Sequence, residues 1–168
     1  GMDKHIFIEK PLTLSHKHSQ SLVSESQRRR VYISCGYVYR FNPIFNKIKK
    51  ILHENKNSKI LKVIISMKGN VRTSSSSKSW RDSGIGSGCL YDYGCHVIDL
   101  SIFLFGAPSK YKCIKKEGIF NEVVDKFTAN LQHLNSNGST YTNELNCDWS
   151  DSSARKAEIP VDIKLNDY

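Results

Sequence analysis

The chain reads as an α+β protein: an α/β remnant followed by an open-faced, mostly antiparallel sheet with helices on one face. Three observations carry this. A strand–helix–strand pattern occupies the first 38 residues. A long apolar helical stretch ends at Gly106-Ala107-Pro108. Beyond it, four strand-like segments alternate in polarity, with Asn137-Gly138 as the strongest hairpin signal.

The elements follow in order. His5–Ile8 is a short apolar run and reads as a buried strand. Leu12–Arg30 carries apolar residues sparsely, which predicts a polar surface helix with Ser15 as its N-cap. Val31–Val38 is rich in β-branched and aromatic residues and predicts a second strand. A strand–helix–strand unit of this length is normally parallel. Asn42-Pro43 opens the next helix, to about His53, with Ile44, Phe45, Ile48, Ile51 and Leu52 on one face. Ile60–Val71 predicts a strand, and Arg72–Ser79 a serine-rich loop.

Leu90–Phe105 is strongly helical and apolar. Lys110–Glu117, Asp125–Leu134, Ser139–Trp149 and Arg155–Leu165 then predict strands. Phe127, Ala129 and Leu131, with Tyr141, Asn143 and Leu145, fall on one side of theirs. A sheet with one covered face and one face for solvent or a partner follows. The boundary between the two parts is placed at 38/39: a nucleotide-domain remnant over 2–38 and a substrate-binding and oligomerisation domain over 39–168.

Bulk properties narrow the function. The 39% hydrophobic and 24% charged content of the 168 residues predicts a globular chain. No apolar run approaches the ~20 residues needed to cross a bilayer. Gly1 ahead of Met2 reads as an added residue, and no basic-then-apolar leader follows, so a cytoplasmic location is expected. The net charge of +9 invites nucleic acid, but Arg28-Arg29-Arg30 and the lysines at 47, 49, 50, 115 and 116 suit helix ends and solvated faces better. Attraction of a phosphate-bearing small molecule stands between these readings.

Five cysteines (Cys35, Cys89, Cys95, Cys113, Cys147) make an odd count with no Cys-x-x-Cys. Reduced thiols and no metal are expected; Cys89, Cys95 and His96 match no common zinc spacing.

Two sets of residues suggest chemistry. Lys10, between Glu9 and Pro11 at a strand's carboxyl end, sits where open α/β sheets bind ligands, and proline biases it to an extended conformation. Asp92 and His96 lie four apart, with Asp99 beyond, on a helix otherwise apolar enough to bury them. A carboxylate beside an imidazole sets its tautomer and raises its basicity, as a general base requires. The plainer reading is a surface lysine, a helix-dipole carboxylate and a core histidine. Gly84-Ile85-Gly86-Ser87-Gly88 follows a polar stretch rather than a buried strand, so it is not a dinucleotide fingerprint. Its glycines are expected to let a helix N-terminus approach substrate.

Taken together, Glu9-Lys10-Pro11, Tyr39-Arg40-Phe41-Asn42-Pro43, Gly86-Ser87-Gly88, the Asp92/His96/Asp99 set and Gly106-x-Pro108 resemble the glucose-fructose oxidoreductase / inositol dehydrogenase (Gfo/Idh/MocA) family. Ser87 stands where the family has the middle glycine of three. The resemblance implies an NAD(P)-binding Rossmann domain and a C-terminal α/β domain, acting on a sugar, cyclitol or nucleotide-sugar hydroxyl. It implies that Lys10, Asp92 and His96 are catalytic: His96 as proton acceptor or donor, Asp92 orienting substrate or sharing that role. It makes Glu9, Lys10 and Pro11 cofactor-binding, and Arg40, Asn42, Trp80, Arg81 and Asp99 candidates for the substrate pocket.

The complete family enzyme uses NAD or NADP. Only eight residues precede Glu9 here, against about 30 or more for each βαβ unit. The expectation is therefore a chain without the glycine fingerprint, holding no cofactor and inactive by itself. The alternative is a non-enzymatic module that oligomerises or binds sugar. A homo-oligomer formed through the open sheet is expected in either case.

Overall fold

The structure, a computed structural model, describes residues 4–71, 86–118, 123–151, 153 and 156–166. The chain divides into two compact units, Gly1–Val38 and Tyr39–Tyr168.

In the first unit, β1 (Ile6–Ile8) and β2 (Ile33–Cys35) pair in parallel, with Ile6 opposite Ile33 and Ile8 opposite Cys35. The helix between them, α1 (His16–Arg29), follows an extended Ser15, but the Ser15 hydroxyl makes no capping bond. Thr13 organises this entry instead. Its hydroxyl donates to the Ser15 carbonyl (2.7 Å) and accepts from the Ser15 N–H (3.2 Å). Arg28 donates twice to Glu25 (2.7 and 2.6 Å), and Arg29 pairs with the same carboxylate, holding the Glu25 carboxyl down to about 2. Two cations of the basic run are thus used within the helix. Gly36 is the one buried residue among those described in this unit, while Phe7 and Tyr32 are largely exposed.

The expected second strand, Val31–Val38, is shorter in the structure: it ends at Cys35, and Val38–Phe41 forms a 3-10 turn. In the second unit α2 (Pro43–Glu54) begins on Asn42, whose side-chain oxygen accepts from the Ile44 N–H (2.9 Å). Pro43 at the first position is preorganised for the helix and lacks only an N–H that would be unsatisfied there.

Five strands build the sheet: β3 (Ile60–Lys68), β4 (Lys110–Glu117), β5 (Lys126–Leu134), β6 (Thr140–Asp148) and β7 (Val161–Leu165). Their order is β4-β5-β6-β3-β7, antiparallel throughout except for the parallel β3–β6 pair. The Asn137-Gly138 turn joins β5 to β6, with Gly138 at φ 81. Across that pair Phe127 faces Cys147, Ala129 faces Leu145, Leu131 faces Asn143 and His133 faces Tyr141. These residues share the covered face with Val63, Ile65 and Met67 of β3. Against it lies a helical segment formed by a π turn (Leu90–Gly94) continuing into α3 (Cys95–Phe105), which buries Val97, Leu100 and Leu104.

Two features of this packing are demanding. Gly94 allows close approach: a Cβ there would stand 2.7 Å from a ring carbon of buried Phe127 and 3.1 Å from Leu90. Further along α3, Ser101, His133 and Asn143 form a buried polar cluster. Asn143 donates to the Ser101 hydroxyl (2.6 Å), which lies 3.4 Å from His133 Nε2. The imidazole stacks on Tyr141 at 5.6 Å. Its Nδ1 is buried without a hydrogen-bond partner among the described residues. Burial pushes the His133 pKa down.

Two outcomes are expected. Gly94→Ala should destabilise the protein by about 1–3 kcal/mol, the usual cost of overpacking a filled core, read as a lower urea midpoint; an unchanged midpoint would refute this packing. Burial disfavours the charged form of His133 in the folded protein, whereas the unfolded chain binds a proton below the ordinary imidazole pKa of about 6.5. Its contribution to stability is therefore complete above that pH and lost below it, with a slope of at most about 1.4 kcal/mol per pH unit. His133→Gln should flatten the fall in urea midpoint between about pH 7.5 and about pH 5.5.

Candidate active site

The site grows from the glycine turn that precedes the π segment. Gly88 has φ +87, and a Cβ there would stand 3.0 Å from the Val124 carbonyl oxygen, so the position needs glycine on both counts. The close approach made possible is to protein backbone. Cys89 N–H donates to that carbonyl (2.7 Å), fastening the start of the helical segment to the lead-in of β5. Gly84 and Ile85 lie outside the described residues.

Asp92 sits in the π turn and His96 in the first turn of α3. A π turn inserted in a helix is rare and frequently marks a functional position. Asp92, His96 and Asp99 are 6%, 9% and 8% exposed, in a segment whose other buried side chains are mainly apolar. Three ionisable groups desolvated on one short helical stretch require partners or a task.

Asp99 has a strong partner. Arg40 Nε donates to both its carboxylate oxygens (2.8 and 3.1 Å) and Nη2 donates to Oδ1 (2.6 Å). The Arg40 guanidinium also stands 5.7 Å from the Phe103 ring centroid, with the Lys49 ammonium at 4.0 Å. His96 meets the Tyr39 ring edge-on, at 4.9 Å between centroids and 83° between planes.

The sequence-predicted residues therefore fall into groups. Asp92, His96 and Asp99 share one helical segment, and Arg40 joins it through Asp99. Asn42 caps α2 with its side-chain oxygen. Trp80 and Arg81 lie outside the described residues. Tyr39 and Phe103 were not singled out by sequence reasoning; Tyr39 lies within the Tyr-Arg-Phe-Asn-Pro motif, which was its available signal.

The thiols nearby are poor nucleophiles. Burial, then the charges of Asp125, Asp148 and Asp92, push the Cys89 thiol up to about 12, and burial raises Cys147 further.

In the first unit, Glu9, Lys10 and Pro11 follow β1 at the carboxyl end of the parallel pair, with a cis bond between Lys10 and Pro11. Gly36, after β2, leaves room for Glu9: a Cβ there would stand 3.3 Å from its carboxylate. This is the end of a parallel sheet where nucleotides bind. The connection from β1 into α1, Glu9–Ser15, has no glycine and so cannot cradle a pyrophosphate as a glycine-rich strand–helix turn does. Glu9, Lys10 and Pro11 would be the residues of this unit at that end of the sheet.

Comparison with known proteins agrees. Residues 45–159 match the GFO/IDH/MocA C-terminal domain. The chain is 31% identical over 108 residues to glucose-6-phosphate 3-dehydrogenase of Bacillus subtilis, covering 62% of this chain and 31% of the relative. It is 31% identical over 106 residues to scyllo-inositol 2-dehydrogenase (NADP+) of the same organism, covering 62% and 29%. Among solved structures, levoglucosan dehydrogenase in complex with NADH superposes with a TM-score of 0.82 at 22% identity, over 96% of this chain and 45% of that one. An Agrobacterium radiobacter oxidoreductase in complex with NAD+, L-tartaric acid and magnesium gives 0.80 at 16% identity, over 95% and 46%. The matched region is thus under a third of either curated relative's length. With the domain match spanning most of the second unit, the chain belongs to the GFO/IDH/MocA family of oxidoreductases and carries its C-terminal domain.

Proposed function

We propose that this chain is the proton-handling and substrate-binding part of an NAD(P)-dependent oxidoreductase acting on a hydroxyl of a sugar, cyclitol or nucleotide sugar. The observation that carries the reading is the desolvated Asp92/His96/Asp99 set on one apolar helical segment. The relatives named as glucose 6-phosphate, scyllo-inositol and levoglucosan dehydrogenases support the substrate class.

In this reading His96 takes the proton from the reacting hydroxyl during oxidation and returns it during reduction. Asp92 orients the substrate or shares the proton. Lys10 is the cation at the cofactor side of the chemistry. A bound nicotinamide dinucleotide supplies the hydride acceptor, and hydride transfer needs it held against the substrate carbon. A second reading is a sugar-binding or oligomerisation module without redox chemistry of its own.

We further propose that copies associate through the uncovered sheet face. That face is polar and ordered by side-chain bonds: Thr128 donates to Asn146 (2.8 Å) and Lys126 to Asp148 (2.8 Å) across β5 and β6, and Asn146 donates to Glu144 (2.9 Å) along β6. Such a face suits a hydrogen-bonded interface between identical sheets.

Calorimetric titration with NADH and NADPH, followed by turnover assays on glucose 6-phosphate, scyllo-inositol and levoglucosan, tests the enzymatic reading. This chain by itself is expected to bind sugar but neither to bind nucleotide nor to turn over; nucleotide binding with turnover, lowered roughly 10²–10⁴-fold by His96→Asn, would show a complete site. Sugar binding that His96→Asn leaves unchanged would favour the module instead. For association, light scattering at micromolar concentration should give a dimer or larger species, reduced by Thr128→Arg; a monomeric mass would overturn it.

A further inference from the structure

Arg40 and Asp99 are engaged with each other to a degree that gives the pair a role besides lining a pocket. Three donor–acceptor contacts between 2.6 and 3.1 Å join them. The Asp99 side chain is 10% exposed and that of Arg40 42%. A planar fork on a carboxylate fixes angle as well as distance. What it fixes is the 3-10 turn. Arg40 follows Tyr39 directly, and α2 holds the same turn from its other end. Asn46 Nδ2 donates to the Arg40 carbonyl (2.9 Å), and the Asn42 N–H donates to the Tyr39 carbonyl (3.1 Å).

Tyr39 therefore leaves a backbone anchored twice. Its ring meets His96 at 4.9 Å and 83°, and buried Phe45 at 6.0 Å and 84°. Asp99 is three residues from His96, one helical turn along the same face. The ion pair and the ring contact thus span the same two elements side by side. An edge-on ring contact contributes only about 0.5–1.5 kcal/mol and is too weak to fix a turn alone. The forked ion pair, with its carboxylate buried, supplies the geometric constraint.

We propose that Arg40 and Asp99 form a positioning pair, which holds the Tyr39 ring against His96 and so sets the orientation of that imidazole. The proposal rests on the reading of His96 as the proton-handling group and adds to it what aims the ring. Neither Arg40 nor Asp99 is assigned contact with substrate. A merely structural pair would loosen α3 along its length when removed; a positioning pair would disturb His96 and spare the far end of the helix. The protein contains a reporter of that difference. His133 lies against Ser101 of the same helix (3.4 Å) and stacks on Tyr141.

The test is carbon–proton correlation NMR of the histidine ring signals in the whole chain, with His96 assigned from His96→Gln. Tyr39–His96 and His133–Tyr141 ring cross-peaks are recorded alongside. Arg40→Met removes the charge, Arg40→Lys keeps the charge without the fork, and Asp99→Asn preserves shape. The expected result is loss of the Tyr39–His96 cross-peak and displacement of the His96 signals in Arg40→Met and Asp99→Asn. Arg40→Lys should show a partial effect, and the His133 signals should stay in place throughout.

Unchanged His96 signals in folded Arg40→Met or Asp99→Asn would overturn the proposal. So would joint movement of the His96 and His133 signals, or failure of all three variants to fold, since each marks the pair as structural only. No turnover is needed for this readout. A chain that binds neither sugar nor nucleotide yet shows the expected cross-peak pattern would sink the proposed function and leave the positioning pair standing.

Discussion

Desolvation of ionisable side chains on the helical segment from Leu90 to Phe105 is the constraint on which the rest of the site depends. That segment must be apolar to cover the sheet, and Val97, Leu100 and Leu104 do so. Asp92, His96 and Asp99 are buried with them, where an uncompensated charge costs far more than at the surface. Much of what surrounds the segment answers this cost. The 3-10 turn brings Arg40 to Asp99, and α2 caps itself on Asn42 while holding that turn through Asn46. Phe103 accepts the Lys49 ammonium and the Arg40 guanidinium against its ring.

Close backbone approach is the second requirement. The helical segment can lie on the sheet only where side chains are missing. Gly88 admits the Val124 backbone, Gly94 admits the Phe127 ring, and Gly69 leaves room for the Tyr93 hydroxyl. Tyr93 then packs edge-on against fully buried Trp149 at 6.1 Å. Trp149 in turn closes the end of β6, its N–H donating to the Asp125 carbonyl (3.0 Å).

Periodicity made much of this legible. The alternation of Phe127, Ala129 and Leu131 with Tyr141, Asn143 and Leu145 identified the covered face, because strand side chains have a period of two and need no tertiary information. Asn137-Gly138 marked its hairpin for the same local reason. Other features needed the third dimension. The parallel β3–β6 pairing joins segments about 80 residues apart, and nothing in either strand announces its neighbour. β2 ends early at Cys35, where Tyr37 N–H and Val38 N–H turn back to the Cys35 and Gly36 carbonyls, against the strand propensity of Tyr37 and Val38. His133 and Ser101 read as unremarkable polar positions until the sheet faced them toward each other. Within the site, spacing alone placed Asp92, His96 and Asp99 together. It could not show that Arg40 is directed to Asp99, because that partnership spans 59 residues.

The two units differ in what they can sustain alone. Every member of the hydrophobic core cluster lies between Phe45 and Trp149. The second unit therefore owns its core and the histidine, and it can hold His96 in place by its own packing. The first unit has Gly36 as its only buried described residue, and two strands of three residues each are marginal by themselves. Its Lys10 is positioned by a short strand end and a proline rather than by a core. The contacts that reach the helix turn of His96 are thus made within the second unit: a backbone anchored from two sides, an ion pair and an aromatic edge all converge there, so its surroundings need nothing from the first unit.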